Sequence, residues 1–271
     1  MAERLEVRKT YKLYVGGQFV RSESGRSYAA EGFNVPRASR KDLRDSVRAA
    51  RAAFPGWSAR TAMNRGQILY RIAEMLEGRR AQFLSLLGGG RPAGRQVDAA
   101  IATWVWYAGL TDKVAQLSGT INPVGGPYFN FTIPEPTGVV GMVAPEEPPL
   151  LGLVARLAPA LCGGNTVVAL ASEPLPLAAL TLAEVLATGD LPPGVVNLLS
   201  GRRAELLPWL ASHMDVNAVD AGACTDPELA AVEEAAAGNL KRVLRQREAQ
   251  PSPQAVTALM EFKTVWHPIG V

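Results

Sequence analysis

The sequence predicts an α/β fold, a parallel sheet with flanking helices, plus a small separate β arm. Three observations carry this. From residue 138 onward, short valine- and leucine-rich runs alternate with segments of helical period, as in a parallel sheet built through right-handed crossovers. Residues 40–108 hold three further helical-period segments ahead of the first of those strands. Between them, residues 119–137 mix aromatic and β-branched residues around Gly125-Gly126-Pro127, giving two extended strands and a loop that stand outside the alternation.

Taken in order, residues 11–20 alternate about Gly16-Gly17 and read as a β-hairpin, whereas residues 32–37 read as irregular. Leu43, Val47, Ala50 and Phe54 form one face of a first helix. Ile68, Leu69, Ile72, Met75 and Leu76 form that of a second, and Val97, Ile101, Trp104, Val105 and Ala108 that of a third. Gly88-Gly89-Gly90 lacks the Gly-Lys-Ser/Thr of a phosphate loop and is read as a helix-ending turn. Strands follow at 138–143, 166–170, 195–199 and 216–219, with helices at about 150–161, 177–186, up to 212, and 227–238. The expected organisation is an N-terminal hairpin and helical part (1–118), a β-hairpin arm (119–137), an α/β part (138–249), and a linker with a terminal strand (250–271).

Composition narrows the function classes. With 48% hydrophobic and 20% charged residues and a net charge of +3, the signs interspersed, neither a nucleic-acid groove nor a polybasic membrane anchor is expected. The start, Met1-Ala2-Glu3-Arg4, lacks a signal-peptide core, and prolines together with Glu146, Glu147 and Arg156 interrupt the most apolar stretch. Two cysteines make no disulfide framework, and His213 and His267 alone suggest no metal site, so a reducing cytoplasm is the expected compartment.

Several strings in unbroken order closely resemble the aldehyde dehydrogenase family. They are Tyr14-Val15-Gly16-Gly17, Ala53-Phe54-Pro55-Gly56-Trp57-Ser58, Glu135-Pro136-Thr137-Gly138-Val139-Val140-Gly141, Leu157-Ala158-Pro159-Ala160-Leu161, Gly164-Asn165-Thr166-Val167-Val168, Leu191-Pro192-Pro193-Gly194-Val195-Val196-Asn197 and Asn239-Leu240-Lys241-Arg242-Val243. The likeness runs from about Tyr11 to Val243 and resumes from Leu259 to Trp266. It implies a Rossmann-like cofactor domain and an oligomerisation arm made from the 119–134 hairpin and the C-terminal strand. Only nineteen residues separate Val243 from Lys263, where the family carries its catalytic domain; a domain needs at least about 50.

The resemblance also implies which chemistry is missing. Family members use a cysteine thiolate to form a thiohemiacetal, and that cysteine lies in the catalytic domain. Cys162 and Cys224 are read as structural thiols. Where the family's Pro-Trp-Asn-Phe-Pro supplies an oxyanion-stabilising asparagine amide, this chain has Glu147, which cannot donate while ionised. Where Glu-Leu-Gly-Gly-Lys supplies the general base, it has Gln246, followed by Arg247-Glu248-Ala249.

The cofactor positions are altered too. Leu170 replaces a ribose-binding lysine, although Glu173, a second ribose contact, remains. Of the Gly-x-Gly-x-x-x-Gly loop only Gly201 survives, with Arg203 and Leu207 at the other two glycines. The pyrophosphate-binding Thr-Gly-Ser becomes Ala221-Gly222-Ala223, and Pro227 removes a backbone donor in the following turn. Arg202 and Arg203 are read as a solvated, charged loop rather than a substitute phosphate clamp, and Glu146-Glu147 as a solvated turn.

The expectation is a non-catalytic aldehyde dehydrogenase-like subunit that needs no cofactor, weak NAD(P) binding being the residual option. It would assemble as a hetero-oligomer with a full-length aldehyde dehydrogenase in a structural or regulatory role. The contacts would come from Tyr128, Phe129, Phe131, Ile133, Phe262, Thr264, Val265 and Trp266 by β-strand addition. The alternatives are a free-standing oxidoreductase of the family with residual NAD(P) binding, and a module holding another ligand in the old cofactor cleft.

Overall fold

The computed structural model describes residues 7–247 and 250–270. The readings made above on Met1 to Arg4, Glu248 and Ala249 lie outside the described residues.

Hairpin β1 (Leu13–Val15) and β2 (Gln18–Val20) turns on Gly16 and Gly17, both with positive φ. A Cβ on Gly17 would also lie 2.7 Å from Pro193, so the turn needs glycine twice over. Residues 27–36, read in part as irregular, form a second hairpin, β3 (Ser27–Ala30) and β4 (Phe33–Pro36). The reading failed because Glu31, at φ 51°, shares the turn with Gly32, and a glutamate there carries no turn signal.

Helix α1 (Arg40–Ser58) starts at a capping box, in which Ser39 and Asp42 each satisfy the other's backbone. Then come α2 (Ala62–Gly78), α3 (Arg80–Leu86), α4 (Gly90–Leu110) and α5 (Val114–Ser118). The short helices α3 and α5 are too brief to leave a periodic signature. The arm begins with β5 (Thr120–Asn122) and β6 (Tyr128–Pro136). The α/β part is β7 (Val139–Val143), α6 (Leu151–Cys162), β8 (Thr166–Leu170), α7 (Leu177–Thr188), β9 (Val196–Leu199), α8 (Arg203–Ser212), β10 (Ala218–Asp220), α9 (Asp226–Ala237) and β11 (Arg242–Leu244). Helix α10 (Pro253–Thr257) and β12 (Met260–Pro268) complete the described chain.

The main sheet runs β11-β10-β7-β8-β9-β1-β2, parallel from β11 to β9 and closed by the antiparallel hairpin. Strand alternation sorts the core. Val140, Met142, Val167 and Ala169 face α2, α4, α6 and α7, while Val139, Val143, Val168 and Leu170 face α1 and α8. The chain moves outward from β7 to β9, then crosses back to β10 on the other side of β7. This makes a topological switch point where the carboxyl ends of β7 and β10 diverge.

A second, three-stranded sheet has the order β12-β6-β5, with β12 paired to β6 over nine residues from Met260↔Pro136 to Pro268↔Tyr128. Its attachment is built around Asn165, which is fully buried. The Asn165 Oδ1 accepts from the Gly138 amide (2.9 Å), and its Nδ2 donates to the carbonyls of Ala160 (3.2 Å) and Leu259 (3.0 Å). Arg242 adds donors to the carbonyls of Ala258 (2.9 Å) and Met260 (2.7 Å). Helix α10 is capped by Ser252, begins at Pro253 and buries Val256 against Gly163. The part of the interval that adjoins β12, from Ser252 to Leu259, is thus packed onto the main sheet through Val256 and Leu259.

Replacing Asn165 by alanine leaves the Gly138 amide buried without an acceptor and removes two further bonds. The expected loss is about 3 kcal/mol in urea unfolding, with faster proteolysis of the arm. Stability within about 0.5 kcal/mol of the parent would contradict this role.

Candidate functional site

The switch-point crevice is lined by the end of β7, the turn after β8, the start of α8 and the segment joining β10 to α9. At its centre lies Arg203, the first residue of α8. Its guanidinium spans the crevice, donating to the carbonyls of Ala144 after β7 (3.1 Å) and Ala223 after β10 (3.4 Å), with Glu228 3.6 Å away. Only 11% of the Arg203 side chain is exposed, which corrects the solvated-loop reading for this residue, while Arg202 is exposed as expected. The cause is geometric: Arg203 begins α8, and the helix start aims this side chain at the Ala144 and Ala223 carbonyls instead of out to water.

Glu173 is committed as well. One carboxylate oxygen accepts from the Arg202 guanidinium (2.6 Å) and the other from the Arg203 amide (2.8 Å). Burial alone would raise this carboxyl, but those bonds outweigh it and hold its pKa below the ordinary 4.5. Arg202 also lies over the Tyr28 ring at 4.8 Å, and the Tyr28 hydroxyl donates to the Glu173 carbonyl. Leu170 and Leu207 are buried in the core on the α1–α8 face. Gly201 lies in a tight turn, where a Cβ would meet the Leu206 side chain at 2.9 Å and the Ala38 amide nitrogen at 3.2 Å.

The start of α9 is capped from within. Thr225 and Glu228 form a capping box, and Asp226 and Glu228 put two carboxylates in the first turn. Pro227, read above as a loss, sits in the first turn, where proline is favoured. Ala223 contributes its carbonyl to Arg203. A Cβ on Gly222 would lie 1.9 Å from the Gln246 carbonyl and 2.7 Å from Arg156, so the segment after β11 presses directly on this turn.

That contact belongs to a buried ion pair missed in the sequence. Arg156 on α6 meets Asp220 at 2.5 Å, both almost wholly buried, and donates to the carbonyls of Gln246 (3.3 Å) and Arg247 (3.0 Å). The available signal was a lone arginine within an otherwise apolar helix and an aspartate ending a buried strand.

Glu147 and Gln246, the expected counterparts of family catalytic residues, lie in different surroundings. Glu147 is exposed beside a cavity of about 410 Å³ that Glu31, Gln96 and Leu175 also line, and Gln246 is exposed with its carbonyl taken by Arg156. Burial pushes the Cys162 thiol up to about 12, a neighbouring Arg65 pulling only partly the other way. Burial, reinforced by Glu228, pushes Cys224 up to about 11. Among the described residues no three His, Cys, Asp or Glu side chains converge as a metal site requires, and no helix is long and apolar enough to cross a membrane.

A parallel sheet with a switch point between β7 and β10, a helix starting at each strand end and a separate three-stranded arm define a Rossmann-like cofactor-binding fold. Within that class the chain belongs to the aldehyde dehydrogenase family, whose model matches residues 27–249. It is 34% identical to human retinal dehydrogenase 2 over 255 residues, covering 88% of this chain and 48% of that protein. It is 33% identical to omega-crystallin of Enteroctopus dofleini, covering 86% and 50%. Its fold is similar to that of an NAD+ complex of aldehyde dehydrogenase from Bacillus cereus, with TM-score 0.80, 26% identity, and coverage of 87% of this chain and 50% of that one. The chain spans about half the length of these relatives.

The residues at the crevice do not fit a dinucleotide in the manner the resemblance implies. Leu170, where the resemblance implies a ribose-binding lysine, is a core residue, Glu173 is held by two arginine donors, the Arg203 guanidinium lies between the Ala144 and Ala223 carbonyls, and Asp226 and Glu228 lie in the first turn of α9.

Two chemical outcomes are expected. At pH 8 the native protein should leave both thiols unreactive toward a disulfide reagent, with two released on denaturation; rapid modification of either in the native state would contradict their burial. Because the folded Glu173 pKa is depressed, its stabilising contribution is present above the unfolded value near 4.5 and lost as pH falls through the folded value. Glu173→Gln should therefore lose stability at neutral pH and show a weaker acid dependence below pH 4.5 than the parent; identical profiles would count against the pairing.

Proposed function

We propose that this chain is a non-catalytic aldehyde dehydrogenase-like subunit that assembles with a full-length aldehyde dehydrogenase, adding its terminal strand to the partner's sheet. The observation that carries this reading is the free edge of β12. The strand pairs with β6 on one side only, lies at the end of its sheet order, and is exposed from Glu261 to Pro268. An eight-residue exposed edge with Phe262 and Trp266 on it is a ready template for pairing with a partner's strand.

The arm sorts the expected contact residues onto two faces. The register puts Phe129, Phe131, Ile133 and Val265 on one and Tyr128, Phe262, Thr264 and Trp266 on the other. The second face is ordered by a hydrogen-bonded row in which Asn122 donates to Asn130 and Thr132, and the Thr132 and Thr264 hydroxyls meet at 2.9 Å. Tyr128 and Trp266 add an edge-to-face contact at 5.7 Å. The first face leaves Phe129 and Ile133 open. Alternate side chains would give such a strand addition its specificity, with main-chain bonds supplying affinity.

The absence of a role in turnover is supported by the interval between β11 and β12. Among the described residues it holds α10 alone, and neither Glu147 nor Gln246 supplies the oxyanion donor or base of the family.

Co-expression with full-length aldehyde dehydrogenases of the same source, followed by native mass measurement, tests the reading. A mixed complex is expected, and the double variant Phe262→Lys, Trp266→Glu should fold normally yet lose at least about tenfold in association, about 1.4 kcal/mol. A chain that stays alone, assembles only with itself, or turns over aldehydes with NAD(P) unaided would defeat it.

A further inference from the structure

We infer that Arg203 is a resident occupant of the switch-point crevice: a guanidinium latch that ties the two halves of the sheet together and keeps a nucleotide out. The inference concerns the crevice alone and stands whether or not the chain assembles with a partner.

In an open α/β sheet the strand ends at the switch point diverge, leaving carbonyls at the crevice mouth that a ligand, water or side chain must satisfy. Here the chain supplies the donors itself. Arg203 reaches Ala144 on the β7 side and Ala223 on the β10 side, and α8 fixes its origin between them. Its charge is answered by Glu228 at 3.6 Å, so the nearly buried cation is not left unpaired. The planar fork of arginine suits this task, because two nitrogens can serve two separated carbonyls at once.

The surroundings are arranged to hold the latch closed. Glu173 accepts from the Arg203 backbone amide, pinning the first residue of α8. Leu207, one helical turn later and on the same side of α8, is buried in the core beneath it. Arg203 at the crevice and Leu207 in the core therefore lock the same helical turn from two directions.

A phosphate clamp is a poorer description. The Arg203 donors point at protein carbonyls, the Arg202 guanidinium is engaged by Glu173 and Tyr28, and Asp226 and Glu228 would repel an entering phosphate. To enter, a nucleotide would have to displace Arg203 from both carbonyls and approach those carboxylates, losing existing bonds before making its own.

The test uses the full chain. Thermal unfolding of the parent with millimolar NAD+, NADP+ or ADP should show no stabilisation, while Arg203→Ala should lower the Tm by about 2–4 °C. The same variant should exchange backbone amides faster in residues 144–147 and 221–226, with little change in β1 and β2. Arg203→Lys, which keeps the charge without the fork and has less tendency to misfold, should recover less than half of the lost Tm. A nucleotide-dependent rise of several degrees in the parent would overturn the inference. So would unchanged Tm and exchange in Arg203→Ala, or Arg203→Lys behaving as the parent does.

Discussion

The buried amide of Asn165 is the constraint on which this architecture depends. It joins the start of β7, the end of α6 and the residue preceding β12 through three hydrogen bonds in a fully buried site. Because a buried amide must satisfy both its oxygen and its nitrogen, the three segments are held in one geometry. Arg242, donating to the carbonyls on either side of Leu259, fixes the same joint from β11. The consequence is that the terminal strand reaches the arm after only a short capped helix. The main sheet and the arm sheet are thereby coupled without a domain in between.

That economy changes what the carboxyl end of the sheet can do. Arg156 draws the segment after β11 across the strand ends, pairing with Asp220 and capturing two backbone carbonyls, and this closes over Gly222. A buried pair of this kind gives little net stability but is costly to break, so it acts chiefly to specify where the segment lies. On the other side of the switch point Arg203 bridges the gap. The crevice is lined by satisfied groups, which is a different chemical environment from the glycine-lined loop that lets a backbone approach a nucleotide.

Much of this was legible in the sequence. The strand and helix alternation from Val139 to Ala237 follows from apolar runs bounded by turn residues, and the arm strands from their aromatic alternation. The likeness of Glu135 to Gly141 and of Asn239 to Val243 to known motifs located the altered positions by number. What escaped were features fixed by three-dimensional proximity. The β3–β4 hairpin turns on a glutamate in a left-handed conformation, whose carboxylate accepts from the distant Leu177 amide, a contact that local preference does not reveal. The Arg156–Asp220 pair joins residues far apart in the chain, and the inward aim of Arg203 depends on the phase of α8, which charge alone does not reveal. Glu173 was legible as a retained residue but not as one already engaged by its neighbours.

The exposed edge of β12 ties the fold to the proposed role, since its outward main-chain groups are open to pairing with another strand. Amide hydrogen exchange across residues 260–268, measured on the isolated chain and again after mixing with a full-length aldehyde dehydrogenase, examines that edge directly. In the isolated chain alternate amides, those turned away from β6, should exchange fast, and mixing should protect them while leaving β8 and β9 unchanged. An exchange pattern that is the same with and without the partner, or uniformly protected in the isolated chain, would contradict the account.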